Sequence, residues 1–223
     1  MRSPTPDLLD ELDVANSRFH HATPVEILTW VFDRFGDDVV MACSFEDVAL
    51  VHMIHELRPD AEILFLDTGG HFPETLEFVD RIEREWALRL TRTVPGPDAE
   101  PWPCGTEQCC QHRKVEPLRR AVTGRAAWIT AVKRVDAPSR AMMKTLSWDE
   151  KFGLVKVNPL ASWSDDDVAY YLQEHRLAEH PLWPAGYTSI GCAAVTALPR
   201  VPGDRRSGRW VGADQAECGL HEA

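Results

Sequence analysis

The fold of this chain is decided by residues 38–94, which read DVVMACSFEDVALVHMIHELRPDAEILFLDTGGHFPETLEFVDRIEREWALRLTRTV. Two apolar runs, within 38–44 and at 63–66, predict buried strands, and 88–94 is a third candidate strand. Helical patterns lie between them, one from Asp47 to Leu57 and one opened by Pro73, a residue that suits the first helical turn. Strands that alternate with helices predict an α/β fold with a doubly wound, mostly parallel sheet.

Outside this stretch the sequence predicts three parts. Residues 1–22 are polar and predict a loosely packed N-terminal helical arm. Residues 23–200 complete the α/β domain, and residues 201–223 form a loop-rich C-terminal tail, since proline and glycine are frequent from Pro181 onward. The remaining elements expected in the domain are helices that begin after Thr23, near Cys109 and after Ser164, and strands at 127–132 and 154–157.

Composition and charge limit the classes of function. The chain has 223 residues, of which 44% are hydrophobic and 26% charged, as in an ordinary globular protein. A net charge of −11 argues against binding to nucleic acid, although one local basic pocket for a small anion is compatible with it. No apolar run approaches the roughly 18 residues of a membrane span. The N-terminus also has no apolar signal region, so we expect a cytoplasmic protein with no membrane partner.

The cysteines carry the strongest chemical signal. In a cytoplasmic chain they favour metal ligation or catalysis over structural disulfides. Cys43 lies in an apolar run and is expected to be a small buried hydrophobe. The adjacent Cys109 and Cys110 precede a basic segment that contains Lys114, and Cys218 lies near the chain end. A thiol on a movable tail, with a cysteine pair beside positive charge, predicts redox chemistry on an anionic sulfur compound.

Two loops follow predicted strands at the edge where open α/β sheets bind ligands. Ser44 to Asp47 leads from a strand into a helix, an arrangement that suits a phosphate group. Asp67 to Gly70 contains two glycines, which allow a sharp turn and close approach to a ligand, and Asp67 could accept hydrogen bonds from a ribose or an adenine amine. A helix cap at the first loop and a capped turn at the second are the structural alternatives.

Four segments occur together and in order: LDTGGHFPET at 66–75, CCQHRKVEPL at 109–118, GYTSIGC at 186–192 and ECGLHE at 217–222. In this combination the chain resembles the assimilatory sulfonucleotide reductases of the APS/PAPS reductase family, in particular the thioredoxin-dependent adenylyl-sulfate (APS) reductases, over roughly residues 23–222. The resemblance implies an adenine-nucleotide α-hydrolase-like fold, in which 23–200 is the sulfonucleotide-binding domain and the tail carries the catalytic cysteine.

The resemblance also implies a reaction. Cys218 would attack the sulfur of APS and expel AMP, and thioredoxin, or glutaredoxin, would release sulfite from the resulting S-sulfocysteine, for sulfate assimilation toward cysteine. Lys114 would assist, and His221 either helps the thiol or fixes the tail. The residues expected to bind the substrate are Ser44, Asp47, Asp67, Thr68, Gly69, Arg134, Arg140, Arg206 and Arg209.

Reductases of this type carry a [4Fe-4S] cluster on an adjacent cysteine pair and a Cys-x-x-Cys. Cys109, Cys110 and Cys192 match three of these ligands, but Val195 occupies the fourth position, and valine cannot ligate iron. Three arrangements follow: a substitute ligand, for which Cys104 is the nearby spare cysteine; a cluster with one open iron; or no cluster, as in the cluster-free PAPS reductases.

This chain departs from the family elsewhere as well. The loop from Ser44 to Asp47 is short, and Ala131, Asp136 and Ala137 stand where the family usually has glycine, glutamine and serine. These changes leave room for an altered substrate. The alternatives are a PAPS reductase, a sulfur-transfer or ATP-pyrophosphatase relative with a three-cysteine cluster, and a decayed nucleotide-binding regulator. A homo-oligomer is left open.

Overall fold

The computed structural model describes residues 3–99, 102–211 and 218–221. Six strands form one sheet in the order β3-β2-β1-β4-β6-β5, parallel throughout except that β5 runs antiparallel to β6. The strands are β1 (Val39–Cys43), β2 (Glu62–Leu66), β3 (Arg89–Thr93), β4 (Ala127–Ile129), β5 (Leu146–Asp149) and β6 (Leu154–Val157). The predicted α/β class with a mostly parallel sheet is confirmed.

Seven α-helices connect and cover these strands in the described residues. They are α1 (Pro6–Arg18), α2 (Pro24–Phe35), α3 (Ala49–Leu57), α4 (Pro73–Trp86), α5 (Glu107–Cys110), α6 (Glu116–Val122) and α7 (Asp165–Glu174). Side chains at the helix starts satisfy free backbone N–H groups: Thr23 and Ser164 each form a capping box, with Glu26 and Asp167 respectively. Both caps were expected from the sequence.

The two faces of the sheet contribute to two hydrophobic clusters because side chains alternate along a strand. Val39, Met41 and Cys43 of β1 pack into the larger cluster, together with apolar residues of α1, α2, α3, α4 and α7. Val40 belongs to the smaller cluster, together with residues of α6 and Leu220 of the tail. The C-terminal tail therefore returns to the sheet and covers part of one face.

The expectation that the N-terminal arm packs loosely is wrong. Helix α1 buries Leu12 and Ala15 in the main core, and Phe19, just after it, is also buried. Asn16 also fixes the arm to β5, since its amide donates to the carbonyl oxygen of Leu146 and accepts from the same residue's N–H. A few apolar side chains on one face were enough to dock a mostly polar helix.

Two further elements differ from the sequence prediction. Strand β5 was not predicted; it is an edge strand that pairs only with β6. The helix expected at the cysteine pair is interrupted by a π-helical segment, Gln111–Val115, between α5 and α6. From Pro181 to 211 the chain is mostly loop, with one short 3-10 turn at Ala193–Val195. None of the helices in the described ranges combines the length and apolar character that crossing a bilayer requires.

Candidate active site

A cavity of about 180 Å³ lies at the carboxyl edge of the sheet. Its floor is formed where β1, β2 and β4 end, at Cys43, Leu66 and Thr130. The loops around Cys192 and Arg206, and the C-terminal tail, complete its walls. This is the position at which parallel sheets bind ligands, because helix starts and loops converge there.

The tail places its cysteine in this cavity. Cys218, half-buried, lines the cavity with Leu220 and His221. The ammonium of Lys151 donates a hydrogen bond of 2.6 Å to the Gly219 carbonyl oxygen, and Leu220 is buried against the sheet. Backbone and side-chain contacts therefore both hold the thiol at the cavity wall.

His221 stacks on Trp128 with parallel rings, 5.8 Å between centroids. Its Nδ1 atom is buried and has no hydrogen-bond partner among the described residues. Burial, and then surrounding cations such as Lys156 and Arg140, hold the pKa of His221 well below its ordinary value. The ring is therefore neutral at pH 7, and the hydrogen-bonding capacity of its Nδ1 atom is not used by the described residues.

Lys114 reaches the cavity from the π-helical segment. A π segment contains one more residue per turn than an α-helix and turns a side chain out of the regular pattern, a feature frequent at functional sites. Burial alone would lower the pKa of Lys114, but the sulfur groups of Cys218 and Cys192 raise it above its ordinary value. Lys114 is therefore a fixed cation that faces the tail thiol.

Two arginines of the last loop line the opposite wall. The guanidinium groups of Arg206 and Arg209 lie over the Trp210 ring, 5.2 and 4.6 Å from its centroid. Arg209 donates a hydrogen bond of 3.3 Å to the Ser189 hydroxyl, while its Nε is buried without a partner in the described structure. A guanidinium whose Nε donor is buried and unused suits an anion that the protein binds.

An ion-pair network that the sequence reasoning missed closes one end of the cavity. The carboxylate of Asp136 accepts from Lys133 at 3.0 Å, Arg140 at 3.2 Å and Arg205 at 2.9 Å. Glu46 binds Arg205 at 2.6 Å. Burial would raise the pKa of Asp136, but Lys133 first, and then Arg205, hold it below its ordinary value.

A sequence signal existed for part of this network. Lys133 and Arg140 are three and four residues from Asp136, a spacing that brings side chains together within a local turn. Arg205 carried no such signal, because it reaches Glu46 across 159 residues of sequence.

The first predicted loop lies at the cavity. Ser44 and Asp47 line it, and Asp47 also accepts a hydrogen bond of 3.0 Å from the Ala49 N–H at the start of α3. Burial raises the pKa of Asp47, with Lys133 opposing the shift. Asp47 therefore binds the first N–H group of α3 and also faces the cavity, whereas the residue at the N-cap position, Val48, makes no side-chain hydrogen bond there. The phosphate-binding role predicted for this loop stays a prediction.

Only part of the second predicted loop, Asp67 to Gly70, lines the cavity. Thr68 lines the cavity, but Asp67 and Gly69 do not. Asp67 accepts a 2.9 Å hydrogen bond from the Gly69 N–H, and Gly69 has a positive φ of 67°, so these residues form the capped turn considered as the alternative. Arg134 also lies outside the lining; its Nε donates to the Met143 carbonyl oxygen at 2.8 Å. The roles predicted for Asp67, Gly69 and Arg134 stay predictions.

The cavity carries a local positive charge in an acidic chain. In the described lining, six cationic side chains face three carboxylates, those of Glu46, Asp47 and Asp136. The cations are Lys114, Lys133, Arg140, Arg205, Arg206 and Arg209. This arrangement favours a small, multiply charged anion.

Of the remaining cysteines, Cys43 and Cys192 line the cavity, whereas Cys104, Cys109 and Cys110 do not. Cys109, Cys110 and Cys192 are buried, and burial raises the pKa of Cys110 to about 11. A hydrogen bond from Cys104 lowers the pKa of Cys192, and the same contact raises that of Cys104. Cys43 is buried in the core, as predicted, and burial raises its pKa.

As the side chains stand, no three or more His, Cys, Asp or Glu residues in the described ranges enclose a metal position. The donor set itself is chemically suitable for iron, because iron–sulfur clusters bind cysteine thiolates and four cysteines meet in this region.

Comparisons with known proteins identify the family of the chain. The profile of a family described as phosphoadenosine phosphosulfate reductase domain matches residues 38–198. A protein of Mycobacteroides abscessus named adenosine 5'-phosphosulfate reductase is 42% identical over 90% of this chain and 88% of its own. A protein of the same name from Anoxybacillus flavithermus is 41% identical over 89% of this chain and 90% of its own.

A solved structure shares the fold. The phosphoadenylyl-sulfate (PAPS) reductase of Candida auris, crystallised as a phosphate complex, superposes with a TM-score of 0.75 at 24% identity. The match covers 87% of this chain and 98% of that one, so nearly all of that fold is present here.

Proposed function

The chain belongs to the phosphoadenosine phosphosulfate reductase family, and from this premise we propose that it reduces adenylyl sulfate to sulfite and AMP. Curated relatives at 41–42% identity that span about nine tenths of the chain carry the name adenosine 5'-phosphosulfate reductase, which supports the choice of this substrate within the family. Sulfate assimilation toward cysteine is the corresponding physiological role.

One observation carries the proposal: the tail thiol of Cys218 lies in the same cavity as Lys114 and Arg209. A nucleophile that must approach an anion is repelled by it, and fixed cations offset that repulsion. Charge-assisted hydrogen bonds from lysine and arginine to oxyanions are also among the strongest in proteins.

The reaction consists of three displacements at sulfur. The Cys218 thiolate attacks the sulfur of the sulfate group, an S–S bond forms, and the bond from sulfur to the phosphate oxygen breaks to release AMP. A thiolate of reduced thioredoxin, or of glutaredoxin, then attacks the Cys218 sulfur and expels sulfite. The second thiol of that donor resolves the mixed disulfide and leaves Cys218 reduced.

The surrounding side chains have separate roles in the first displacement. Lys114 and Arg209 hold the sulfate and phosphate oxygens, so that the charge that develops on AMP is stabilised in place. The neutral ring of His221 donates or accepts a hydrogen bond but adds no charge, and its stacking on Trp128 supports the choice that it fixes the tail.

We also propose that the chain holds a [4Fe-4S] cluster, with Cys109, Cys110 and Cys192 among its ligands. When bound, the cluster would join the helix of the cysteine pair to the Cys192 loop through iron–thiolate bonds, which fixes Lys114 beside the cavity. Reduced thiols and a thiol donor are compatible with the cytoplasm, where we place the protein.

The direct test is an assay of purified protein with reduced thioredoxin and either APS or PAPS. We expect sulfite and AMP from APS. Cys218→Ser should abolish turnover but retain nucleotide binding, and mass spectrometry of the unmutated protein with APS alone should find one SO₃ group on Cys218. A strong preference for PAPS would reassign the substrate, and undiminished turnover by Cys218→Ser would refute the mechanism. Pyrophosphate release from ATP without sulfite from APS would indicate the sulfur-transfer alternative.

A further inference from the structure

The loop that carries Cys104 supports an inference about a residue outside the family's cysteine pattern. We propose that Cys104 is the fourth thiolate ligand of the iron–sulfur cluster and replaces the donor that is missing at Val195. The inference rests on the cluster proposed above, and it assigns a ligand specific to this chain. It does not depend on which sulfonucleotide the enzyme reduces.

The first support is the proximity of the sulfur atoms. The thiol of Cys104 lies close enough to Cys192 and Cys109 for their interaction to raise its pKa, and the same interaction with Cys104 lowers the pKa of Cys192. These two cysteines belong to different elements, the Cys192 loop and helix α5. Cys104 therefore lies between the cysteine pair of α5 and Cys192. A fourth ligand of a cluster that binds both of these elements has to lie in this position.

The second support is the packing of Gly105 on Val195. A Cβ atom at Gly105 would lie only 2.7 Å from the Cγ1 atom of Val195, and the glycine has a positive φ of 93°. The loop therefore sits directly on the valine and needs a glycine to do so. Val195 fills the space under the loop, and the neighbouring residue presents a sulfur to the same region.

The third support is that the loop is held in place. The Thr106 hydroxyl caps α5 by accepting from the Cys109 N–H at 3.2 Å, and it donates to the Pro103 carbonyl oxygen at 2.9 Å. The backbone N–H of Thr106 also donates to Pro103. Cys104 thus lies between two anchored residues, and only its side chain has to turn to bind iron.

Cys218 is the competing thiol, because its sulfur also interacts electrostatically with Cys110 and Lys114. A cysteine that binds iron permanently is not free to form a covalent intermediate and to meet a reductant. Cys104 has no part in the reaction described above, since its sulfur meets the other cysteines and it does not line the cavity. The geometry therefore separates a ligand thiol from a reacting thiol.

The test compares five anaerobically purified proteins by iron and acid-labile sulfide content, visible absorption and electron paramagnetic resonance. They are the unmutated chain, Cys104→Ala, Cys109→Ala as the loss of a ligand proposed above, Cys218→Ser as a thiol control, and the double variant Cys104→Ala/Val195→Cys. Cys104 is an exposed residue, so its alanine variant should fold, and circular dichroism checks this.

We expect about four irons per chain in the unmutated protein and in Cys218→Ser, as for a [4Fe-4S] cluster. Cys104→Ala should lose at least one iron per cluster, as Cys109→Ala does, and Val195→Cys should restore the content in the double variant. An unchanged iron content and resonance spectrum in Cys104→Ala would overturn the assignment in favour of an open iron.

An unmutated protein without iron would also overturn the assignment. If it still released sulfite from APS, the proposed reductase function would stand, so the failures of the ligand assignment and of the function are distinguishable.

Discussion

Gly191→Ala tests how the cavity holds its anion, without removing any charged group. An alanine Cβ at this position would lie 2.1 Å from Nη2 of Arg209 and 2.6 Å from its Cζ. Contacts this short cannot exist, so the guanidinium must move away from Gly191. In the unmutated protein Arg209 contacts the Trp210 ring at 4.6 Å and the Ser189 hydroxyl at 3.3 Å, and a guanidinium that moves away from Gly191 leaves this position.

The magnitude follows from the hydrogen bonds that the displaced group can no longer make to the substrate. A hydrogen bond to a charged group contributes about 1.5–3 kcal/mol. Loss of one such interaction in the transition state corresponds to a decrease of about 10- to 150-fold in kcat/KM. We expect Gly191→Ala to decrease kcat/KM for APS by a factor in this range while the protein remains folded.

The assay is steady-state sulfite release with a saturating thiol donor, measured for Gly191→Ala, Arg209→Ala and the double variant. Because both changes disable the same guanidinium, the double variant should be no worse than Arg209→Ala alone. Gly96→Ala is the matched control, since nothing lies within 4 Å of the added methyl group there. Additive losses, or a kcat/KM in Gly191→Ala equal to that of the control, would refute the argument that this glycine places Arg209.

Three further predictions concern stability. Leu12→Ala should lower the free energy of unfolding by about 2–5 kcal/mol, because Leu12 is buried in the main core. Leu9→Ala is the control, since this side chain is 42% exposed, and it should change the free energy of unfolding by less than about 1 kcal/mol. Equal chemical-denaturation curves for the two variants would show that α1 is not part of the core. Asp136→Asn removes the carboxylate that Lys133, Arg140 and Arg205 share. Because Glu46 and Asp165 still pair with Arg205, and Asp165 with Lys133, the change should cost about 1–3 kcal/mol, seen as a lower melting temperature, and an unchanged melting temperature would contradict the network. Burial lowers the pKa of His180 to about 4 from an ordinary 6.5, so between these pH values the unfolded chain binds a proton at His180 and the folded protein does not. The free energy of unfolding should therefore decrease by up to about 3 kcal/mol as the pH falls from 6.5 to 4. In urea titrations across this range His180→Gln should flatten the pH dependence, and an equally steep profile would exclude His180 as its source.

The sheet was predictable because its signals are local. Apolar runs at β1 and β2 and helical periodicity between them depend only on neighbouring residues, and they placed the carboxyl edge correctly. Strand β5 gave no such signal, since it is a short edge strand stabilised by pairing with β6 and by contact with α1. The docking of α1 was underestimated for a similar reason: three apolar positions in a polar segment become significant only when a core surface is present to receive them.

The candidate site also contains residues that local motifs predicted and residues whose position only the fold decided. Motifs led to Lys114, Cys218 and Arg209, and the fold brings all three to one cavity. The loop from Asp67 to Gly70 also has a strong sequence signal. The Asp67 carboxylate, however, accepts a hydrogen bond from the Gly69 N–H, and of this loop only Thr68 lines the cavity. A loop sequence predicts that a turn is tight without revealing which of its side chains point to the ligand.

By itself, the sequence determined the strand–helix alternation, the edge of the sheet where the cavity lies, and the thiol and cations proposed to perform the chemistry. Tertiary structure alone decided which charges compensate each other, as where Arg205 meets Glu46 across 159 residues, and that Cys104 lies against Cys192. The physical reason is that apolar periodicity acts between neighbours in the chain, whereas ion pairs and metal-ligand sets depend on distances in space that only the packed sheet and its loops establish.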